Sequence, residues 1–152
     1  FIAENKKNDY PISNLDIFPT IVDVVGETEP VISLDGISLK PALLYDSILP
    51  SRALYWHFPI YLQAYNVNDI ENRDSLFRTR PGSAMRYENW KLHHYFEDDS
   101  LELYNLANDV GETQNVLNEY PAEARRLYDM LEKWREKTKA PVPESLNPEY
   151  RK

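Results

Sequence analysis

Along residues 83–96 apolar and polar side chains alternate in steps of two. Met85 and Tyr87 fall on one side and Arg86 and Glu88 on the other; after Glu88-Asn89 the pattern resumes as Trp90, Leu92, His94 and Phe96 against Lys91, His93 and Tyr95. This period predicts half-buried antiparallel strands joined by a turn at Glu88-Asn89. Glu97 to Ser100 predicts a second turn, and Leu101, Leu103 and Tyr104 a third short strand. Asn108-Asp109 and Gly111 close the meander with residues that tolerate turn geometry. The period then lengthens. Ala124, Leu127, Tyr128, Leu131 and Trp134 form one helical stripe, predicting a helix over Pro121–Lys139 with Glu123 at its positive end and Lys137 and Lys139 at the other.

Earlier in the chain, Ile17, Ile21, Val24 and Val25 share one helical face that ends at Gly26, with Asp16 placed to cap its start and Pro19 in its first turn. Asp35-Gly36 predicts a turn, and Ser38 a cap for a short helix through Leu44. Arg52 to Phe58 is an aromatic-rich strand stopped by Pro59. Tyr61 to Arg80 has weak periodicity and many polar residues, the mark of a binding loop or a disordered insertion. From Ala140 the prolines 141, 143 and 148 predict an extended tail. The fold class expected is α+β: a small antiparallel sheet of about four strands with the C-terminal helix packed across one face.

Composition narrows the function. The net charge of −8 argues against a nucleic-acid surface, although a few local cations can still bind sulfate. With no cysteine there is no disulfide framework, thiolate zinc site or cysteine nucleophile. No apolar run approaches the roughly 20 residues of a membrane span. The first residue is Phe1, and no targeting segment is legible, so the chain is expected to be a fragment.

Particular words add to these patterns. Ala84, Arg86, Trp90, Lys91 and Leu92 spell A-x-R-x-x-x-W-K-L; Leu103 to Asn115 spell L-Y-N-L-x-N-D-x-G-E-x-x-N. In this order the pair resembles the C-terminal subdomain of bacterial sulfatases, the arylsulfatase-like, formylglycine-dependent enzymes of the alkaline-phosphatase superfamily. Three further segments resemble the same family: D-x-x-P-T at Asp16–Thr20, D-G-x-S-L at Asp35–Leu39 and R-x-L-Y-W-H-F-P-x-Y at Arg52–Tyr61. The tail Asn147, Pro148 and Tyr150 is similar to the family's N-P-x-Y endings. The resemblance runs from about Ser13 to Tyr150. It implies that residues 1–50 are the end of the large sulfatase domain with a connecting segment, and that residues 51–152 are the C-terminal subdomain. The first helix then belongs to the edge of a missing α/β domain, and its apolar face is partly without cover.

The resemblance also supplies site candidates. His57, Arg80 and Arg86 are the substrate-binding candidates, through an imidazolium or guanidinium on a sulfate oxygen. The alternative is a sheet-edge hydrogen bond for His57 and solvated surface for the arginines, Arg78 included. Where many microbial sulfatases carry a second histidine after the proline, this chain has Ile60. Asp35 is explained as a turn residue. His93 and His94, adjacent on a strand, point to opposite faces and cannot chelate one metal, so they are expected to be sheet residues. Trp134 is expected in the core.

No catalytic residue and no metal ligand is expected in this chain. The family's nucleophile is a formylglycine made from Cys or Ser in C/S-x-P-S-R, and its calcium sits on Asp and Asn ligands. Neither motif is matched here, and both are implied for the missing N-terminal part. The resemblance therefore implies a fragment, inactive by itself, that helps form the substrate cleft of a sulfuric ester hydrolase. Its partners would be the rest of the parent chain and a sulfated small molecule or glycan, with no nucleic acid or membrane, in the periplasm or outside the cell. The alternatives are a free-standing module that binds glycans through Trp56, Tyr61 and Tyr65, a structural module, or the tail of a related phosphatase or phosphonate hydrolase.

Overall fold

The computed structural model describes residues 2, 4–5, 7–26, 33–63, 77–145 and 148. The chain divides into two compact units, Phe1–Ser51 and Arg52–Lys152.

In the first unit, a 3-10 turn at Asn14–Asp16 leads into helix α1 (Ile17–Val25), and α2 (Lys40–Tyr45) follows a turn at Asp35-Gly36. Asp16 stands at the N-cap position of α1, as expected, but its side chain makes no capping bond to that helix. The capping residue is Ser13, one turn earlier: its hydroxyl accepts from Leu15 N, and Asp16 Oδ2 accepts in return from Ser13 N at 2.8 Å. The other carboxylate oxygen of Asp16 accepts from Ile37 N at 3.0 Å, so this fully buried aspartate joins two segments 21 positions apart. Thr20 Oγ1 donates to Asp16 O and accepts from Leu39 N, while Asp23 holds Ser38 Oγ and Lys40 Nζ. Ser38 Oγ also accepts from Lys40 N at 3.2 Å, although the N-cap position of α2 is Leu39 and not Ser38 as expected. Gly36 is required by close approach, since a Cβ there would stand 2.0 Å from Leu15 O. The D-x-x-P-T and D-G-x-S-L words are thus the two halves of one interlocked corner. Ile17, Ile21, Val24 and Val25 on the outer face of α1 are all more than half exposed.

The second unit is an antiparallel sheet in the order β1-β4-β5-β6, made of β1 (Ala53–Phe58), β4 (Gly82–Tyr87), β5 (Trp90–Tyr95) and β6 (Ser100–Asn105). Two short strands, β2 (Leu62–Gln63) and β3 (Phe77–Thr79), pair separately between β1 and β4. They lie within the stretch expected to lack regular structure; its central residues, 64–76, fall outside the described ones. Helix α3 (Pro121–Thr138) crosses β4 and β5. Register places Tyr55, Met85, Leu92 and Leu103 in one row across the sheet. Met85, Leu92 and Leu103 meet Ala124, Leu127 and Leu131 of α3 in a buried core. Trp134 belongs to its margin as expected, stacked on Tyr55 with ring centres 4.9 Å apart. The turn Glu88-Asn89 is tight enough to force Glu88 to φ +54°, a conformation that costs a side chain with a Cβ about 1 kcal/mol.

Candidate functional site

His57 stands on the helix-facing side of β1, opposite Ser83 of β4. Its Nε2 donates to the carbonyl of Pro141 at 2.8 Å, and its Nδ1 shares a 2.8 Å hydrogen bond with Ser83 Oγ. A carbonyl only accepts, so Nε2 must carry a proton. Both ring nitrogens are engaged, and the imidazole ties the start of the tail after α3 to the sheet. Phe96 and Trp134 flank the ring at 5.7 and 6.3 Å.

Arg80 lies between β3 and β4. Its Nε donates to Glu97 Oε2 and its Nη2 to Asp98 Oδ2 at 3.1 Å, while the guanidinium rides over the Tyr95 ring at 4.7 Å. The second oxygen of Glu97 accepts from the Tyr61 hydroxyl. Glu97, whose side chain is 2% exposed, is therefore the hub of this cluster. Asp98 is pushed up by burial, but bonds from Ser100 and Arg80 win and hold it below the usual carboxylate range. An opening of about 200 Å³ adjoins the cluster, lined by Tyr61, Pro81, Phe96, Glu97, Pro143 and Ser145.

Arg86 projects from the opposite face of β4 to His57, and its Nε donates to the carbonyl of Glu88 at 3.2 Å. Thus His57 and Arg86 occupy different faces of one sheet, and Arg80 sits at the strand entry. The side chain of Arg78 and all of Tyr65 lie outside the described residues, while Trp56 is about half exposed on the face that Arg86 shares. That face also carries His93, whose Nε2 donates to Glu112 Oε2 at 2.8 Å beside Lys91 Nζ on Oε1 at 2.6 Å. Burial holds His93 below its ordinary value of 6.5 in spite of the Glu112 carboxylate.

His94 lies on the other face. Its Nδ1 is 2.9 Å from Arg135 Nη1, and its Nε2 is 2.6 Å from Asp99 Oδ1. Guanidinium can only donate, so Nδ1 accepts, and the ring is the neutral tautomer that donates from Nε2 to Asp99. Burial first, then the Arg135 charge, lowers its pKa against the pull of Asp99. The two histidines face apart as their adjacency on a strand requires, and among the described residues no group of three His, Cys, Asp or Glu side chains could hold a metal. Glu97, Glu112 and Arg135 were missed as organising residues. Glu112 had a signal, since it stands at a fixed place in the turn word; a buried arginine in the polar spacing of a helix had none.

The chain matches the family described as N-sulphoglucosamine sulphohydrolase, C-terminal, over residues 1–139. It belongs to this sulfatase family. A sulfatase of Formosa agariphila is 32% identical over 146 residues, covering 86% of this chain and 24% of the relative. A delta 4,5-hexuronate-2-O-sulfatase of Bacteroides thetaiotaomicron is 30% identical over 123 residues, covering 76% and 22%. Among solved structures, a putative sulfatase from Bacteroides thetaiotaomicron aligns with TM-score 0.61 at 25% identity, covering 88% of this chain and 27% of that one. A protein solved in complex with its substrate D-glucosamine-2-N,6-O-disulfate aligns with TM-score 0.58 at 26% identity, covering 82% and 24%. The chain spans about a quarter of the length of these relatives.

As a member of the sulfatase family, the chain shows what its motif words do physically. W-K-L and G-E meet in space as the Lys91–Glu112 ion pair. Asn115 Oδ1 accepts from Leu103 N and Leu117 N, pinning the approach to α3 along β6. Asp109 gathers the amides of Thr113 and Gln114 at 2.8 Å each, and these bonds hold its pKa below the usual range. Asn105 Oδ1 takes Ala107 N. The words that mark the family here are fasteners of the fold.

Proposed function

We propose that this chain is the C-terminal part of a sulfatase whose whole chain hydrolyses sulfate esters of a sugar, and that it helps form the substrate cleft. The observation that carries this reading is the sulfatase family match over residues 1–139, joined to relatives about four times as long. The names of two relatives, one acting on a hexuronate 2-O-sulfate and one binding a disulfated glucosamine, support a sulfated sugar as substrate. The described residues fit neither of the family's reactive groups. The chain has no cysteine, Ser51-Arg52 lacks the C/S-x-P-S-R context, and among the described residues no acidic cluster suits calcium. Formylglycine and calcium therefore belong to the remainder of the parent, and residues 1–152 alone are inactive. The compartment proposed is the periplasm or the exterior, where sulfated polysaccharides are met; no described helix is long and apolar enough to cross a membrane.

The test compares the parent-length protein with residues 1–152 alone on aryl sulfate, aryl phosphate and sulfated disaccharides. We expect the parent to hydrolyse sulfate esters in preference to phosphate, and the short chain to release no sulfate. Faster phosphate turnover by the parent would replace this reading with that of a related phosphatase. Sulfate release by the short chain would place the chemistry within it.

A further inference from the structure

We infer that Glu97 is a positioning residue for the cleft: one buried carboxylate ties the two ends of segment 61–80 together and fixes how the β2–β3 hairpin leaves the sheet. The inference rests on the reading that this chain borders a sulfatase's substrate cleft.

Tyr61 immediately precedes β2, and Arg80 immediately follows β3. Both donate to the same carboxylate, Tyr61 to Oε1 and Arg80 to Oε2. The backbone alone holds this hairpin weakly. β2 and β3 pair at Leu62↔Thr79 and Gln63↔Phe77, with a register shift between them. Among the described residues a further link runs from Leu62 N to Thr79 Oγ1 at 3.1 Å. A carboxylate buried to 2% exposure is tolerated only when it is paired and hydrogen-bonded, so its geometry is stiff. Asp98 and the Tyr95 ring fix the far side of the Arg80 guanidinium, which leaves Arg80 little freedom to follow a displaced partner. Glu97 itself is anchored to the sheet, because Phe96 N, next to it, bonds to Pro81 O at 3.0 Å. The carboxylate therefore transmits the position of the β4–β5 framework to the two ends of the hairpin.

This clamp is separate from the core. The buried cluster of Met85, Leu92, Leu103 and α3 does not include Glu97, Tyr61 or Arg80. The opening beside the clamp, bounded by Pro81, Phe96 and Pro143, places it at the surface. Loss of the clamp should then change where the hairpin stands without unfolding the sheet.

In the parent-length enzyme, Glu97→Gln exchanges the oxygen facing Arg80 for an amide or leaves Tyr61 without its acceptor. We expect kcat/KM for a sulfated disaccharide to fall about tenfold through KM, as misplacement of a binding segment does. Turnover of a small aryl sulfate, which offers no sugar for the hairpin to position, should stay within about twofold. Tyr61→Phe should reproduce part of the KM effect. Hydrogen exchange should quicken at residues 62–63 and 77–80 and stay unchanged in α3. Equal losses on both substrates would mean a general folding defect and overturn the positioning role, as would no loss on either. If the unsubstituted parent hydrolyses no sulfate ester, the proposed function fails by itself; unaltered exchange at the hairpin base in Glu97→Gln would then overturn the clamp separately.

Discussion

Individual side chains in this protein are committed in pairs and triads, and that determines how it responds to pH. His94 accepts from Arg135 and donates to Asp99, an arrangement that protonation would set against the guanidinium. Its pKa, and that of His93, lies below the ordinary value of 6.5. The unfolded chain therefore takes up protons first as pH falls. Stability should be full above about pH 6.5 and decline below it, until the pH has passed the folded values. Glu112 and Asp98, both held below the usual carboxylate range, add losses of the same sign at lower pH. Urea titrations between pH 7.5 and 5 should show this decline. His94→Gln, which can still accept from Arg135 and donate to Asp99, should flatten it; a pH slope unchanged in that variant would remove His94 as its source. At this scale the sequence was partly legible. The opposed faces of His93 and His94 followed from adjacency on a strand. The partners of His57, Arg80 and Arg86 did not, because Pro141, Glu97 and Glu88 reach them through turns and a tail whose paths no periodicity encodes.

Among the elements, α3 and the meander carry the stability. Leu127 and Leu131 are fully buried against Met85, Leu92 and Leu103. Leu127→Ala should cost about 3 kcal/mol, from lost transfer energy and the cavity left behind. Arg125, three-quarters exposed and paired with Asp129, should cost under about 1 kcal/mol when replaced by Ala. Denaturant midpoints of the two variants decide this; similar costs would mean that the helix is not packed as described. These elements were legible because both periods, two for strands and 3.6 for α3, are driven by burial on one side. The extra pair β2–β3 was not, since each strand is too short to show a period. For Asp16 the position at the start of α1 was legible but the partners of its carboxylate were not, for a related reason. A cap can be assigned from local sequence, but the partner Ile37 lies 21 positions away, and only the fold brings it there.

At the level of the whole molecule, strand order sets what can change. β4, β5 and β6 follow one another through short turns, but β1 joins β4 across the whole of residues 59–81. The two strands meet in uninterrupted register from Ala53↔Tyr87 to Phe58↔Gly82, and Gly82 is held there because a Cβ would stand 2.6 Å from His94 O. Closing a longer loop is thermodynamically mild, about 0.6 kcal/mol for each doubling of length. Insertion of several Gly-Ser residues within 64–76 should therefore shift stability by less than about 1 kcal/mol, as read from the denaturant midpoint; a loss as large as that of Leu127→Ala would show that the segment is part of the folding unit. The seam between β1 and β4 thus divides the unit into a framework, in which each fastener answers to another, and a connection whose length the register of the seam does not fix.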